Sequence, residues 1–227
     1  MNERYWHCDL HIHTQFSKDS LMEPNLILKT AVKRGINCLA ITDHNEIEGA
    51  YRVKLYSKNY NIRVIVGEEI KTSEGEIIGY FLNKKVPQGL SPEETVAKIK
   101  KQGALVAIPH PFDRLRKSKL KMSALLRVLP YVDIIEVFNG RTHYLDDNKR
   151  ALNFAKKTKK LISAGSDSHT SLEIGSTFVT MPPFDSIDTF KQSLCQGRIT
   201  GRKNPDYVHI FSTFIKIYKS FHFVKQS

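Results

Sequence analysis

One pattern constrains this sequence more than any other. Short apolar runs recur along the chain, and each is followed at once by residues that ligate metals. Tyr5 and Trp6 lead into Cys8-Asp9-Leu10-His11-Ile12-His13-Thr14, and Asn37 to Thr42 (NCLAIT) leads into Asp43 and His44. Arg63 to Val66 leads into Gly67-Glu68-Glu69, and Ala104 to Ile108 into Pro109-His110-Pro111. Asp133 to Phe138 leads into Asn139-Gly140-Arg141, and Leu161 to Ala164 into Gly165-Ser166-Asp167-Ser168-His169. Helix-like segments lie between the runs, so strands and helices alternate, as in α/β folds. In an α/β barrel the strand ends converge on one rim, where active sites sit. Five of the nine histidines fall at these ends, each with carboxylates nearby. Imidazole and carboxylate gathered this way are the donor set of a multinuclear metal site.

Spacing supports that reading. In a strand, alternate side chains share a face, so His11 and His13 point together while Leu10 and Ile12 point away. Asp167-x-His169 repeats the arrangement with a carboxylate and an imidazole. If residues 67–70 are extended, only one of Glu68 and Glu69 reaches the metals. Asp19, in Ser17-Lys18-Asp19-Ser20, is either a further ligand or an ordinary loop residue. Asp43 is either a ligand or a group that orients one from behind.

The helices announce themselves locally. Glu23-Pro24 opens one that runs to Lys33, with Pro suited to a first turn and Gly35 ending it. Ile47 to Lys58 forms the next. Ser91-Pro92-Glu93-Glu94 starts another with a Ser cap and acids in its first turn, running to Gln102. A basic stretch, Asp113 to Met122, precedes a helix to Leu129. Further helices span Leu145 to Thr158 and Ser186 to Gln196, and further strands Glu76 to Leu82 and Thr177 to Met181. With 227 residues, 41% of them apolar, the chain suits one sizeable core. We therefore expect one domain over 1–227, with 198–227 a basic amphipathic extension. Phe211, Phe214, Ile215, Tyr218 and Phe221 recur there at helical spacing, and their apolar face is expected to dock on the barrel. A basic amphipathic contact with a membrane or partner is the other reading.

Composition excludes several classes. No run is long enough to span a membrane, and the N-terminus lacks the apolar core of a signal peptide. Three widely spaced cysteines, Cys8, Cys38 and Cys195, argue against a disulfide framework and for a reducing cytoplasm. The formal charge of +12 favours anionic partners such as phosphate esters or nucleic acid, although the lysines are spread along the chain. The sequence does not determine the oligomeric state.

Taken in order, Asp9-Leu10-His11-Ile12-His13-Thr14, Thr42-Asp43-His44, Gly67-Glu68-Glu69, His110-Pro111 and Gly165-Ser166-Asp167-Ser168-His169 resemble the PHP (polymerase and histidinol phosphatase) superfamily. Glu173-Ile174-Gly175 and Gly197-Arg198 resemble its stand-alone members. The resemblance implies a distorted, TIM-like (β/α)7 barrel holding two or three divalent metals at the C-terminal rim of its strands. It implies one metal on His11, His13, Glu69 and Asp167, a second bridged by Glu69 and bound by His110, and a third on Asp19, His44 and His169. Several members supply another histidine to the second metal. This chain has none between His110 and Glu136, which leaves His143 or Glu136 to fill that place.

Mixed imidazole and carboxylate ligands suit Mn, Zn or Fe, with Mg also admitted. Such metals activate a water and neutralise phosphoryl oxygens, so no protein nucleophile is required. The expected activity is hydrolysis of a phosphate ester: a small phosphomonoester, a nucleotide or the end of a short oligonucleotide. Arg114 and Arg141 stand near the rim as guanidinium clamps for phosphate, or as plain surface arginines. The alternatives are an exonuclease acting on nucleic acid ends, an amidohydrolase-type C–N hydrolase and a non-catalytic metal-binding module. The second lacks its bridging lysine at a strand end, and the third is opposed by the near-complete ligand set.

Overall fold

In the computed structural model, residues 5–223 are described; 1–4 and 224–227, the two ends of the 1–227 span, lie outside the described residues. Nine strands form one sheet in the order β7-β6-β5-β4-β3-β2-β1-β8-β9. They are β1 (Trp6–Ile12), β2 (Cys38–Ile41), β3 (Arg63–Thr72), β4 (Gly75–Tyr80), β5 (Leu105–Ile108), β6 (Ile134–Asn139), β7 (Leu161–Gly165), β8 (Thr177–Met181) and β9 (Arg198–Gly201). Helices α1 (Pro24–Lys33), α2 (Glu48–Tyr56), α3 (Pro92–Lys100), α4 (Met122–Val128), α5 (Leu145–Thr158), α6 (Ile187–Cys195) and α7 (Tyr207–Phe223) connect and flank them. The first seven strands curl into a nearly closed, distorted TIM-like barrel. A parallel bridge between Ile12 and Ser168 draws the exit of β7 to the end of β1, and the His13 N–H donates to the Ser168 carbonyl over 3.0 Å. Strands β8 and β9 extend the wall, β8 antiparallel to β1 and β9 antiparallel to β8.

Alternation divides the core in two. Ile27, Leu28, Val53, Val96, Leu125 and Ala155 pack from the helices onto one face of the strands, with Leu39 and Ile41. Cys8, Leu10, Ala40, Ile65, Tyr80 and Ala107 fill the inside of the barrel, with Phe190 and Leu194 of α6.

Two departures from the expected strands position the site. First, β3 does not stop at Gly67. A Cβ on Gly67 would lie 3.0 Å from the Gly79 carbonyl and 3.1 Å from that of Ile41, so glycine lets the neighbouring strands approach rather than ending the strand. The strand continues to Thr72 and turns back as β4, which is antiparallel to both β3 and β5. One barrel strand is thus reversed. Second, the β1–β2 register shifts between Asp9 and Ile12. Leu10 belongs to the inner cluster but Ile12 to the outer one, so the two do not share a face as simple alternation predicts. The bulge exchanges the faces, and His11 and His13 end in the barrel mouth.

The C-terminal helix also differs from expectation. Helix α7 forms, but Phe211, Phe214, Tyr218 and Phe221 are exposed. It docks through its polar side. Arg141 Nη2 donates to the Val208 carbonyl and to Ser212 Oγ, and Lys219 Nζ donates to the carbonyls of Gln15 and Ser17. These charged and polar groups satisfy one another at the barrel mouth, which an apolar face does not do.

Candidate metal centre

All eight ligands expected from sequence converge at the C-terminal mouth of the barrel. Around the first position, His13 Nε2 lies 3.3 Å from Asp167 Oδ1, and His11 Nε2 lies 3.6 Å from the same oxygen. Both imidazole nitrogens are 3.5 Å from Glu69 Oε2 and 3.1 Å from each other. Glu69 Oε1 meets His110 Nε2 at 3.1 Å. On the other side, His169 Nε2 is 3.3 Å from Asp19 Oδ1 and His44 Nε2 is 3.6 Å from Asp19 Oδ2. His44 also places Nδ1 3.1 Å from Glu69 Oε2. Glu68, on the opposite face of β3, accepts from the Val86 N–H instead.

The donor set fits divalent metals on the structure's own terms. Glu69 Oε2, Asp167 Oδ1, Asp19 Oδ1 and His110 Nδ1 are buried and accept or donate no hydrogen bond within the described residues. Buried carboxylate oxygens without partners are costly unless a cation completes them. Three-residue groups with ligand atoms close enough to share an ion include His11, His13 and Glu69, and His13, His44 and His169. His110 and Asp167 are held at φ of 31° and 54°, a region that non-glycine residues seldom occupy outside functional sites.

A third group, His44, Glu69 and Glu76, contains a residue not anticipated as a ligand. Glu76 lies on the reversed strand β4, where its Oε2 is buried, without a hydrogen bond and 4.0 Å from His110 Nε2. Neither His143 nor Glu136 takes that place. His143 pairs with the exposed Asp206 at 3.1 Å and stacks on His209. Glu136 stands behind His11, accepting from its Nδ1 over 2.9 Å, from the His110 N–H over 2.8 Å and from Asn139 Nδ2.

Other carboxylates hold the ligands from behind. Asp43 accepts from the Thr14 N–H and from Ser17 Oγ, which sits 3.1 Å from His13 Nδ1. Asp43 therefore stands behind His13 and not among the donors that face one another. Asp9 accepts from the Ser166 and Gly175 N–H groups, and Glu173 from those of His169 and Thr170. These acids lie inside apolar stretches or loops, where sequence gives only their residue type.

The electrostatics follow from this crowding. Burial alone would depress His11, but Asp167, Glu136 and Glu69 outweigh it and raise it well above the ordinary histidine value. His13, buried and facing His169 and His44, is pushed well below it. Asp167 resists burial because Arg116 and His11 hold it ionised. Glu76 is raised by burial and by the neighbouring Glu69 charge.

The arginines depart in part from expectation. Arg114 turns away from the mouth, forking onto Asp147 at 2.8 Å and lying over Tyr144. Arg141, largely buried and held by Glu173 and α7, lines the cleft as expected. Arg116 lines it too: its Nη2 donates to Asp167 Oδ2 over 2.7 Å, leaving Oδ1 to face the histidines.

The sequence and the fold are matched by known proteins. The PHP domain profile matches residues 9–168, and a PHP-associated profile matches residues 146–199. The chain belongs to the PHP domain family. Two uncharacterised proteins of Methanocaldococcus jannaschii are similar to it. One is 50% identical over 48% of this chain and 70% of its own; the other is 38% identical over 75% and 68%. A 5'-3' exoribonuclease of Haemophilus influenzae is 34% identical over 39% of this chain and 32% of its own. Three solved structures share the PHP fold. PsfC from Pseudomonas syringae superposes with a TM-score of 0.64 at 18% identity, over 97% of this chain and 99% of its own. A Bifidobacterium adolescentis protein assigned as a metal-dependent phosphoesterase gives 0.63 at 18%, over 84% and 96%. A sulfate-bound amidohydrolase from Chromobacterium violaceum gives 0.62 at 19%, over 86% and 97%.

Proposed function

We propose that this PHP domain is a metal-dependent phosphoesterase acting on small phosphomonoesters or nucleotides, with exonucleolytic cleavage at a nucleic acid end as the second reading. One observation carries the proposal: unpaired buried oxygens of Asp167 and Glu69 converge with His11 and His13 beneath a cleft that Arg116, His44 and His169 line. The Haemophilus relative, an exoribonuclease by name, supports phosphate ester chemistry, and so does the Bifidobacterium assignment.

His11, His13, Glu69 and Asp167 would hold one divalent ion. Glu69, His110 and Glu76 would hold a second, and Asp19, His44 and His169 a third. Mn, Zn or Fe bound there would supply Lewis-acid charge to a phosphoryl group and acidify a water. The chain's own residues do the rest. Glu136 keeps the His11 proton on Nδ1, which leaves Nε2 as the ligating nitrogen. Asp43, through Ser17, fixes the His13 ring. Arg116, steadied by Asp167 and 3.7 Å from Asp113, presents its remaining N–H groups to phosphate oxygens.

Described helices are not long and apolar enough to cross a membrane. The buried neighbours Cys8 and Cys38 are both free thiols, which suits a reducing cytoplasm. Purified protein, loaded separately with Mn, Zn and Fe, is to be assayed against phosphomonoesters, nucleotides and 5'-labelled oligonucleotides. Metal-dependent phosphate release that His11→Ala abolishes supports the reading. Full activity in that variant, or no hydrolysis with any metal, overturns it.

A further inference from the structure

Helix α7 lies beyond both family profiles, which end at residues 168 and 199, yet it builds one wall of the cleft. The cleft holds about 330 Å3. Asp19, His44, Glu76 and His169 line it toward the metal ligands; Lys18 on the β1–α1 loop and Thr213 and Lys216 on α7 line it elsewhere. Lys18 and Lys216 also line an adjoining trough with Phe16 and Leu21, so both stand where the two hollows meet.

The cations around the mouth fall into two kinds. Arg114 pairs with Asp147, Arg116 with Asp167, Arg141 with Glu173 and Lys203 with Asp206. Lys18 and Lys216 have no carboxylate partner among the described residues. The backbone segments that carry them are nonetheless tied together. Lys219, one turn beyond Lys216, donates to the carbonyls of Gln15 and Ser17 over 2.6 and 2.7 Å, clipping α7 to the loop that carries Lys18. Arg141 anchors the preceding turns of α7 through Val208 and Ser212. Two ammonium groups without ion-pair partners on clipped walls of one cleft gain when an anion enters between them.

We propose that Lys18 and Lys216 form a second anion subsite, which selects small phosphoesters carrying a further phosphate or carboxylate beyond the scissile group. This rests on the phosphoesterase reading. The lysines act on binding, because the bond-breaking end of the substrate lies among the metal ligands.

Steady-state kinetics on the Mn-loaded protein test the subsite. The substrates are phenyl phosphate, an alkyl bisphosphate and a phosphocarboxylate of the same length. In Lys18→Ala, Lys216→Ala and Lys216→Glu, KM for two-anion substrates rises about tenfold or more with kcat held, while phenyl phosphate changes less than about twofold. A larger rise for the bisphosphate identifies a second phosphate as the preferred group; a larger rise for the phosphocarboxylate identifies a carboxylate. Circular dichroism confirms that these surface variants fold. An equal rise for all three substrates, or none, overturns the subsite and leaves the phosphoesterase reading standing. A wild-type protein that hydrolyses none of them with Mn, Zn or Fe overturns both.

Discussion

His11 Nδ1 lies 2.9 Å from Glu136 Oε1, and both residues sit where the register of their strand shifts. The bulge in β1 turns His11 into the barrel mouth, whereas Glu136, just before the shift in β6, faces inward by plain alternation with Ile134. Glu136→Gln keeps the shape but weakens the acceptor for the imidazole proton. Metal affinity should fall about 10- to 100-fold, as is usual when a carboxylate behind a ligating histidine is lost. Titration with Zn against a competing chelator measures it. Unchanged affinity would mean that the His11 ring is held by packing alone.

Glu76 is the ligand candidate contributed by the reversed strand. Its carboxylate faces His44 at 3.8 Å and His110 at 4.0 Å. Glu76→Gln should therefore weaken the second metal position by at least about tenfold while leaving the His11–His13–Asp167 position filled. Elemental analysis after limited chelation reads the difference as a lower metal-to-protein ratio. Loss of all metal would assign Glu76 to the whole cluster and not to one position.

The two arginines, two residues apart, separate cleanly. Arg116 meets Asp167 inside the mouth, whereas Arg114 meets Asp147 outside it. Arg116→Ala removes a charge-assisted contact, so kcat/KM should drop about 10- to 100-fold. Arg114→Ala, whose side chain pairs with the buried Asp147 away from the cleft, should stay within about twofold of wild type. The opposite ranking would return the phosphate clamp to Arg114.

The contrast between these arginines shows what sequence carries and what it does not. The convergence of the candidate ligands was legible because strand ends and metal-ligating residue types coincide: His11, His13, His44, Glu69, His110, Asp167 and His169 all reach the mouth. The helix over 145–158 and the Ser91 capping box with Glu94 were legible from local chemistry. Three features were not. Strand direction depends on tertiary pairing, so the reversal of β4, and with it Glu76, left no local mark. A bulge changes which face a residue takes without changing its type, which hid the separation of Leu10 from Ile12. Helix α7 has the periodicity of a docked helix, but periodicity does not say which face docks. Arg141 and Lys219 decided that by finding acceptors on and beside its polar side.

His209, on that polar side, gives a pH dependence with a defined sign. It is half-buried, stacked on His143 and near Arg141, Arg116 and Asp167. Burial first, then the Arg141 and His143 charges, push it down to about 4. An unfolded chain protonates this residue near its ordinary value of about 6.5. As pH falls from there towards about 4, the unfolded state gains a proton that the folded state refuses, so stability is lost on the acid side. Solvent screening limits the effect to on the order of 1 kcal/mol. His209→Gln should lose less stability than wild type between neutral pH and pH ~4.5, as read from urea unfolding. Parallel losses in the two proteins would show that His209 is free to protonate in the fold.

Barrel closure offers the most stringent test. A Cβ added at Gly165 would lie 2.4 Å from His11 Cβ and 2.6 Å from the His11 backbone nitrogen. No rotamer relieves a contact with backbone, and β7 is held on its other side by the Gly140 N–H, which donates to the Gly165 carbonyl over 3.0 Å. In Gly165→Ala, β7 must therefore withdraw from β1, parting the Ile12–Ser168 bridge and drawing Asp167 away from His11 and His13. Overpacking of this kind costs about 1–3 kcal/mol. The variant should show that loss in urea unfolding of the metal-free protein and, separately, weaker metal binding. Loss of stability with intact metal affinity would mean that Asp167 is held by Arg116 and Asn139 rather than by barrel closure, because both donate to its Oδ2 independently of β1.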